Sequence, residues 1–187
     1  MAVLSAKFSP GLLVLAGWLG LCGTTPAAAA PSSGVVAQQS VYAAFVVNIT
    51  RFVLWPETAF RSVDEPIVIG TFERAAINDE LDRAVQGERV GARPLKTLRI
   101  HSLDDLARCQ AVYLEGADPQ QNAVLSRIAG RPVLAIGDGD GFLELGGHIR
   151  FVPKPPRTQL RIRLANLRSS GLQVRSQLLR LAQVEGP

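Results

Sequence analysis

Pro66-Ile67-Val68-Ile69-Gly70-Thr71-Phe72 is a short apolar run, and Ile77 to Gln86 follows it with a different period. The first stretch reads as a strand. The second reads as a helix, with Ile77, Leu81, Ala84 and Val85 at spacings of three and four. The same alternation continues downstream: strands at Leu95–Ile100, Gln110–Leu114 and Pro132–Ile136. Between them lie a short capped helix at Ser102–Leu106 and a helix opened by Asp118-Pro119 and stopped by Gly130. Ser102 and Asp105 have the spacing of a capping box, and proline suits a first helical position. Strands alternating with helices imply a mostly parallel α/β sheet with right-handed crossovers and helices on both faces.

The pattern changes after Gly147. His148–Val152 and Gln159–Leu164 alternate apolar and polar residues, which predicts an antiparallel C-terminal edge. Pro153-Lys154-Pro155-Pro156 joins them, and this reading expects a loop wider than two residues. A helix from Ser176 to Gln183 closes the chain. Upstream of residue 66, Val36 to Leu54 reads as a helix, with Val41, Phe45, Ile49, Phe52 and Val53 as its apolar residues. Trp55-Pro56 ends it, because the residue before proline avoids the helical region. The expectation is one open α/β domain of the flavodoxin or Rossmann kind.

The first thirty residues read as a cleavable signal peptide. Lys7 is the only charge before Arg51, Leu12–Leu21 is apolar, and Ala27-Ala28-Ala29-Ala30 offers small residues for cleavage before Ala30 or Pro31. The apolar stretch is shorter than the roughly 18 residues a membrane span needs. Residues 31–187 then form a single exported domain, expected to be soluble in the periplasm.

The chain has 20 bases and 16 acids. Their distribution is uneven: Arg150, Lys154, Arg157, Arg161, Arg163, Arg168, Arg175 and Arg180 share the C-terminal part with one acid, Glu185. Such asymmetry suits an acidic partner or an anionic surface. Alternation places Gln159, Arg161 and Arg163 on one exposed strand face, with Arg150 beside them on the neighbouring strand. These arginines are the candidate partner contacts, and Trp55 is the alternative. Replacing Arg161 and Arg163 by Gln is expected to leave folding almost unchanged.

No constellation for chemistry stands out. His101 and His148 have no second ligand in evidence, so no metal is expected, and both read as strand-end residues. Cys109, the one cysteine left after Cys22 is removed, reads as a small core residue with no disulfide partner. Gly137-Asp138-Gly139-Asp140-Gly141 is followed by Phe142-Leu143, where a phosphate loop needs Lys and Ser or Thr. It also lacks the third acid of a calcium loop. It reads as a turn in which an Asp caps the short segment after it. No catalytic residue, cofactor or nucleic-acid partner is expected.

Several stretches together resemble the YfiR-like family of periplasmic proteins. They are Tyr42-Ala43-Ala44-Phe45 through Arg51-Phe52-Val53-Leu54-Trp55-Pro56, the strand Ile67–Gly70, Gly130–Asp138 leading into Gly141-Phe142, Gly146–Phe151, and Gly171-Leu172 through Ala182. The similarity covers about residues 38–183. It implies a regulator and not an enzyme: a repressor acting on the periplasmic sensory part of a membrane-bound diguanylate cyclase, sequestered by an outer-membrane lipoprotein, and homodimeric. The sequence departs from the family at Arg163, where Asn is frequent. Cys109 matches a frequent cysteine, but Thr71–Ala75 offers it no partner. The rival reading is a periplasmic small-molecule binder or sensor accessory without a cyclase partner. A hydrolase ranks last, because no nucleophile–base pair is evident.

Overall fold

A computed structural model describes residues 33–116 and 118–186. The expected signal peptide, residues 1–30, lies outside the described residues. Helix α1 spans Ser33–Phe52. Its buried face includes Tyr42, Val46 and Ile49, while Val41 is exposed and Phe45 and Phe52 are only partly buried. Two stripes with helical spacing coexist in this segment, so periodicity alone did not choose between them. Packing chooses: the Tyr42 ring lies 4.9 Å from that of Phe151. After α1 the short strand β1, Val53–Leu54, pairs antiparallel with β9, Gln173–Val174.

The main sheet begins with β2, Ile67–Phe72, and continues through helix α2, Asn78–Ala84, and the short β3, Arg89–Val90. Then come β4, Arg93–Ile100, and β5, Ala111–Leu114. Helix α3, Gln121–Ile128, leads to β6, Leu134–Gly137. Strands β7, Ile149–Lys154, and β8, Arg157–Arg163, form a hairpin. Helices α4, Leu164–Ser169, and α5, Ser176–Leu181, precede a last strand, β10, Ala182–Glu185. The eight strands lie in the order β10-β8-β7-β6-β5-β2-β4-β3. Strands β4, β2, β5, β6 and β7 are mutually parallel, and β8 is antiparallel to β7.

The fold is therefore the expected single α/β domain with a mostly parallel sheet. Residues from α1, α2, α4 and α5 pack on one face with Ile69, Tyr113, Ile136 and Ile162. On the other face α3 and the 3₁₀ turn Leu103–Arg108 cover Val112, Leu114 and Ala135. Each fully buried Ile or Leu contributes roughly 1.5–3 kcal/mol.

Local details differ from the sequence reading in three places. The closing helix stops at Leu181, and Ala182–Glu185 pairs in parallel with β8, so β10 and not β8 is the outermost strand. The β7–β8 reversal is a tight one: Lys154 opposes Arg157 across Pro155-Pro156, whose bond is cis. Proline in the cis form fits the third position of a tight turn, which the expectation of a wider loop overlooked. Asp118 accepts the Gln120 N–H at 2.7 Å but is not the helix cap: α3 starts at Gln121 with Gln120 as its N-cap, so Pro119 lies before the helix. The capping box at Ser102 forms as read, with the Asp105 carboxylate accepting the Ser102 N–H at 3.0 Å.

Candidate functional site

Each strand of the β7–β8–β10 group turns alternate residues to one side. Leu160 and Ile162 of β8 and Ile149 and Phe151 of β7 enter the core beneath the helices. Arg150 stands opposite Arg161 in the register, and Gln183 and Glu185 of β10 stand opposite Arg161 and Arg163. The structure thus brings Arg150, Arg161 and Arg163 onto one sheet face, as the alternation predicts.

Their charge is answered within the chain, which the sequence reading did not foresee. The Glu185 carboxylate pairs with both Arg161 and Arg163, the latter at 3.1 Å. Arg163 also reaches Glu144 at 3.4 Å and the Leu143 carbonyl at 3.3 Å. Arg150 pairs with Asp140. The side chains of Arg161 and Arg163 remain 33% and 28% exposed, whereas those of Arg150 and Glu185 are 13% and 10% exposed. The face is a lattice of three guanidinium groups and three carboxylates, not a row of repelling cations. Asp140 belongs to a stretch that reads as a turn, Glu144 lies just beyond it, and Glu185 sits 22 residues beyond Arg163. Only tertiary structure reveals these partners.

Glycine crowding explains the 137–141 loop. A Cβ on Gly139 would lie 2.2 Å from the Gly116 carbonyl oxygen, and one on Gly147 would lie 2.2 Å from the Phe142 ring. The glycines let two loops touch and let Phe142 sit in the core. Asp138 accepts the Gly116 N–H, and Asp140 pairs with Arg150. The expected cap on the segment after the loop is therefore replaced by a tie to the neighbouring β5 loop.

Trp55 is half-buried and lies away from the arginines. Its Nε1–H donates to the Gln110 carbonyl at 3.3 Å, and its ring meets Phe60 edge-on at 6.4 Å. His101 is exposed, 3.8 Å from Glu73. His148 begins a strand, as read, but it is buried, with 2% exposure. Its Nδ1 accepts the Ala135 N–H at 2.8 Å, which leaves the ring proton on Nε2, 3.0 Å from Ser170 Oγ. Burial pushes its pKa down to about 4, against a smaller upward pull from the Asn166 backbone. Cys109 is a buried free thiol, pushed up to about 12 mainly by burial, so it is not a thiolate near neutral pH. Among the described residues no group of three or more His, Cys, Asp or Glu could hold a metal ion. No described helix is long and apolar enough to cross a membrane.

The family model described as YfiR/HmsC-like matches residues 39–183, which span α1 to β10. No curated protein matches the chain.

Proposed function

The chain belongs to the YfiR/HmsC-like family, whose members are periplasmic regulators of cyclic di-GMP signalling, and from that premise we propose that it represses a membrane-bound diguanylate cyclase. Repression works by protein–protein contact with the periplasmic sensory part of the cyclase, and it lowers cyclic di-GMP output. The protein is exported, loses residues 1–30 and acts as a homodimer in the periplasm. An outer-membrane lipoprotein relieves repression by sequestering it. The observation that carries this reading is the family match across the whole described domain.

The partner contact is assigned to the half-exposed face of β7, β8 and β10. Arginine suits interfaces because its planar fork pairs two oxygens of a carboxylate and is weakly hydrated. The carboxylates interleaved with it fix the positions of the guanidinium groups. Such an alternating pattern favours specificity over raw attraction.

The experiment is to express the protein with the membrane cyclase encoded beside it and measure cyclic di-GMP, with and without the protein. A lowered level, restored when residues 1–30 are deleted, supports the reading. An unchanged level with every neighbouring membrane cyclase sinks it. Arg161→Gln with Arg163→Gln should weaken repression, and an unimpaired double variant would move the contact toward Trp55.

A further inference from the structure

Strand β2 has β4 on one side and β5 on the other, so chain order reverses between β2 and β5. In open α/β sheets the crevice outside the carboxyl ends of the strands at such a reversal is where ligands bind. Here that place holds a cleft of about 570 Å³, lined by Phe72, Ala75, Ile100 and Pro119 and by the acids Glu73, Glu115 and Asp118. A second lobe of about 460 Å³ shares Glu73, Arg74 and Ala75 with it and extends to Asn78.

The charge of the cleft runs against that of the chain, which is +4 overall. Glu115 and Asp118 line it, Asp138 acts on Glu115 from close by, and none of the three is ion-paired with a base among the described residues. Burial, then Asp138 and Asp118, raise the pKa of Glu115 against a lowering hydrogen bond from the Ala76 N–H. Backbone and side-chain donors nevertheless fix the carboxylate, with Ala76 N–H at 2.6 Å and Gln39 Nε2 at 3.4 Å. Asn78, in the wall of the second lobe, is 8% exposed and donates to the Phe72 and Glu73 carbonyls, while its buried Oδ1 meets no donor. Of the three bases that line the two lobes, His101 is turned to Glu73, Arg99 pairs with Asp82, and Arg74 is exposed and forms no ion pair among the described residues. A cation entering the cleft finds Glu115 and Asp118, which have no ion-pair partner among the described residues. An anion finds one exposed guanidinium.

We propose that this cleft binds a small organic cation, a primary amine with an apolar body. The ammonium sits on Glu115 and Asp118, and the apolar part packs on Phe72, Ala75, Ile100 and Pro119. The partly buried Glu115 carboxylate gives such a pair more than a surface pair would gain, because the local dielectric is lower. Glu115 also ties β5 to the β2–α2 loop through Ala76 and to α1 through Gln39. An amine that draws on Glu115 therefore bears on both. This goes beyond the regulatory reading and does not rest on it, since the cleft needs no partner protein to be tested.

The test is calorimetric titration of the purified protein with phenethylamine and butylamine, and with phenylacetate as the matched anion. Saturable binding of an amine at concentrations below about 10 mM is expected, with none of phenylacetate. Glu115→Gln with Asp118→Asn should weaken amine binding at least about tenfold, a loss of one well-placed charge pair. Asp118→Asn alone, at a half-exposed loop position, should weaken it about threefold and keeps the test intact if the double variant does not fold. Glu57→Gln, an exposed acid outside the cleft, should change nothing. Two results would overturn the proposal: neither amine titrates, or the Glu115 and Asp118 variants bind as the parent does.

Discussion

Acid should loosen this protein through His148. The ring is 2% exposed, its Nδ1 is committed as an acceptor from Ala135 N–H, and its Nε2–H points to Ser170 Oγ. A second proton on Nδ1 would set two N–H groups against each other and place a charge in the core. Burial, which disfavours the charged ring, holds the folded pKa at about 4, below the ordinary 6.5 of imidazole. A group depressed in this way contributes stability in full above pH 6.5, and loses it as pH falls toward and through 4. Integrating the proton linkage from pH 7 to pH 4 gives a loss of about 3 kcal/mol from this one residue. The perturbation is His148→Asn, whose Oδ1 can still accept from Ala135 and which does not titrate. At pH 7 the variant should be less stable by about 1–3 kcal/mol, since it forfeits ring packing and leaves Ser170 unpaired. Between pH 7 and pH 4 its stability should fall by about 3 kcal/mol less than the parent's. Urea unfolding followed by circular dichroism at four pH values measures both slopes, and other carboxylates cancel in the difference. Parallel slopes would refute the assigned proton position and the depressed pKa together.

Removing Arg161 and Arg163 should cost more than a surface change: Glu185 would be left without counter-charge, and we expect about 1–3 kcal/mol, largely restored by adding Glu185→Gln, in chemical denaturation. Native Cys109 should resist iodoacetamide at pH 8 and react once unfolded, as mass spectrometry would show, because its pKa is pushed up to about 12. Gly70→Ala should destabilise by about 1–3 kcal/mol, since the new Cβ would lie 2.7 Å from Cys109 Sγ and 2.8 Å from Ile100 Cδ1; the cost should shrink in a Cys109→Ala background. N-terminal sequencing of the periplasmic fraction should find Ala30 or Pro31 first, and an intact Met1 in the cytoplasm would overturn the reading of export.

Elements bounded by strong punctuation were legible. β2, β5 and β6 are short apolar runs closed by Gly, Pro or Asp, and α3 ends just before Gly130, which takes a positive φ of 70°. β10 was not legible, because Ala182-Gln183-Val184-Glu185 has no apolar run and continues a helical pattern. Its identity as a strand comes from pairing with β8, more than twenty residues earlier, and such non-local pairing overrides weak local preference. The helical face of α1 is ambiguous for a related reason: Val41–Phe45 and Tyr42–Val46 share the same spacing, both Phe45 and Tyr42 touch Phe151, and depth of burial favours the second pair. His148 was read correctly as opening a strand, but a strand's first residue carries no sign of how deep it lies.

The candidate arginines show why a charge tally misleads more than a hydrophobic pattern does. Apolar residues sort themselves by a local period, which sequence displays. Charges sort themselves by distance, which sequence hides: Arg150 meets Asp140 ten residues back, and Arg163 meets Glu185 twenty-two residues ahead. Eight bases against one acid suggest an excess awaiting a partner, yet for the three candidate arginines Glu185 serves Arg161 and Arg163, Glu144 also reaches Arg163, and Asp140 serves Arg150. The same reasoning inverts the carboxylates. Asp118 and Asp138 read as cap and turn residues, and the reversal of strand order brings them to Glu115, where none of the three is ion-paired among the described residues. The balanced face is suited to recognition by pattern, whereas the unbalanced cleft carries the uncompensated charge.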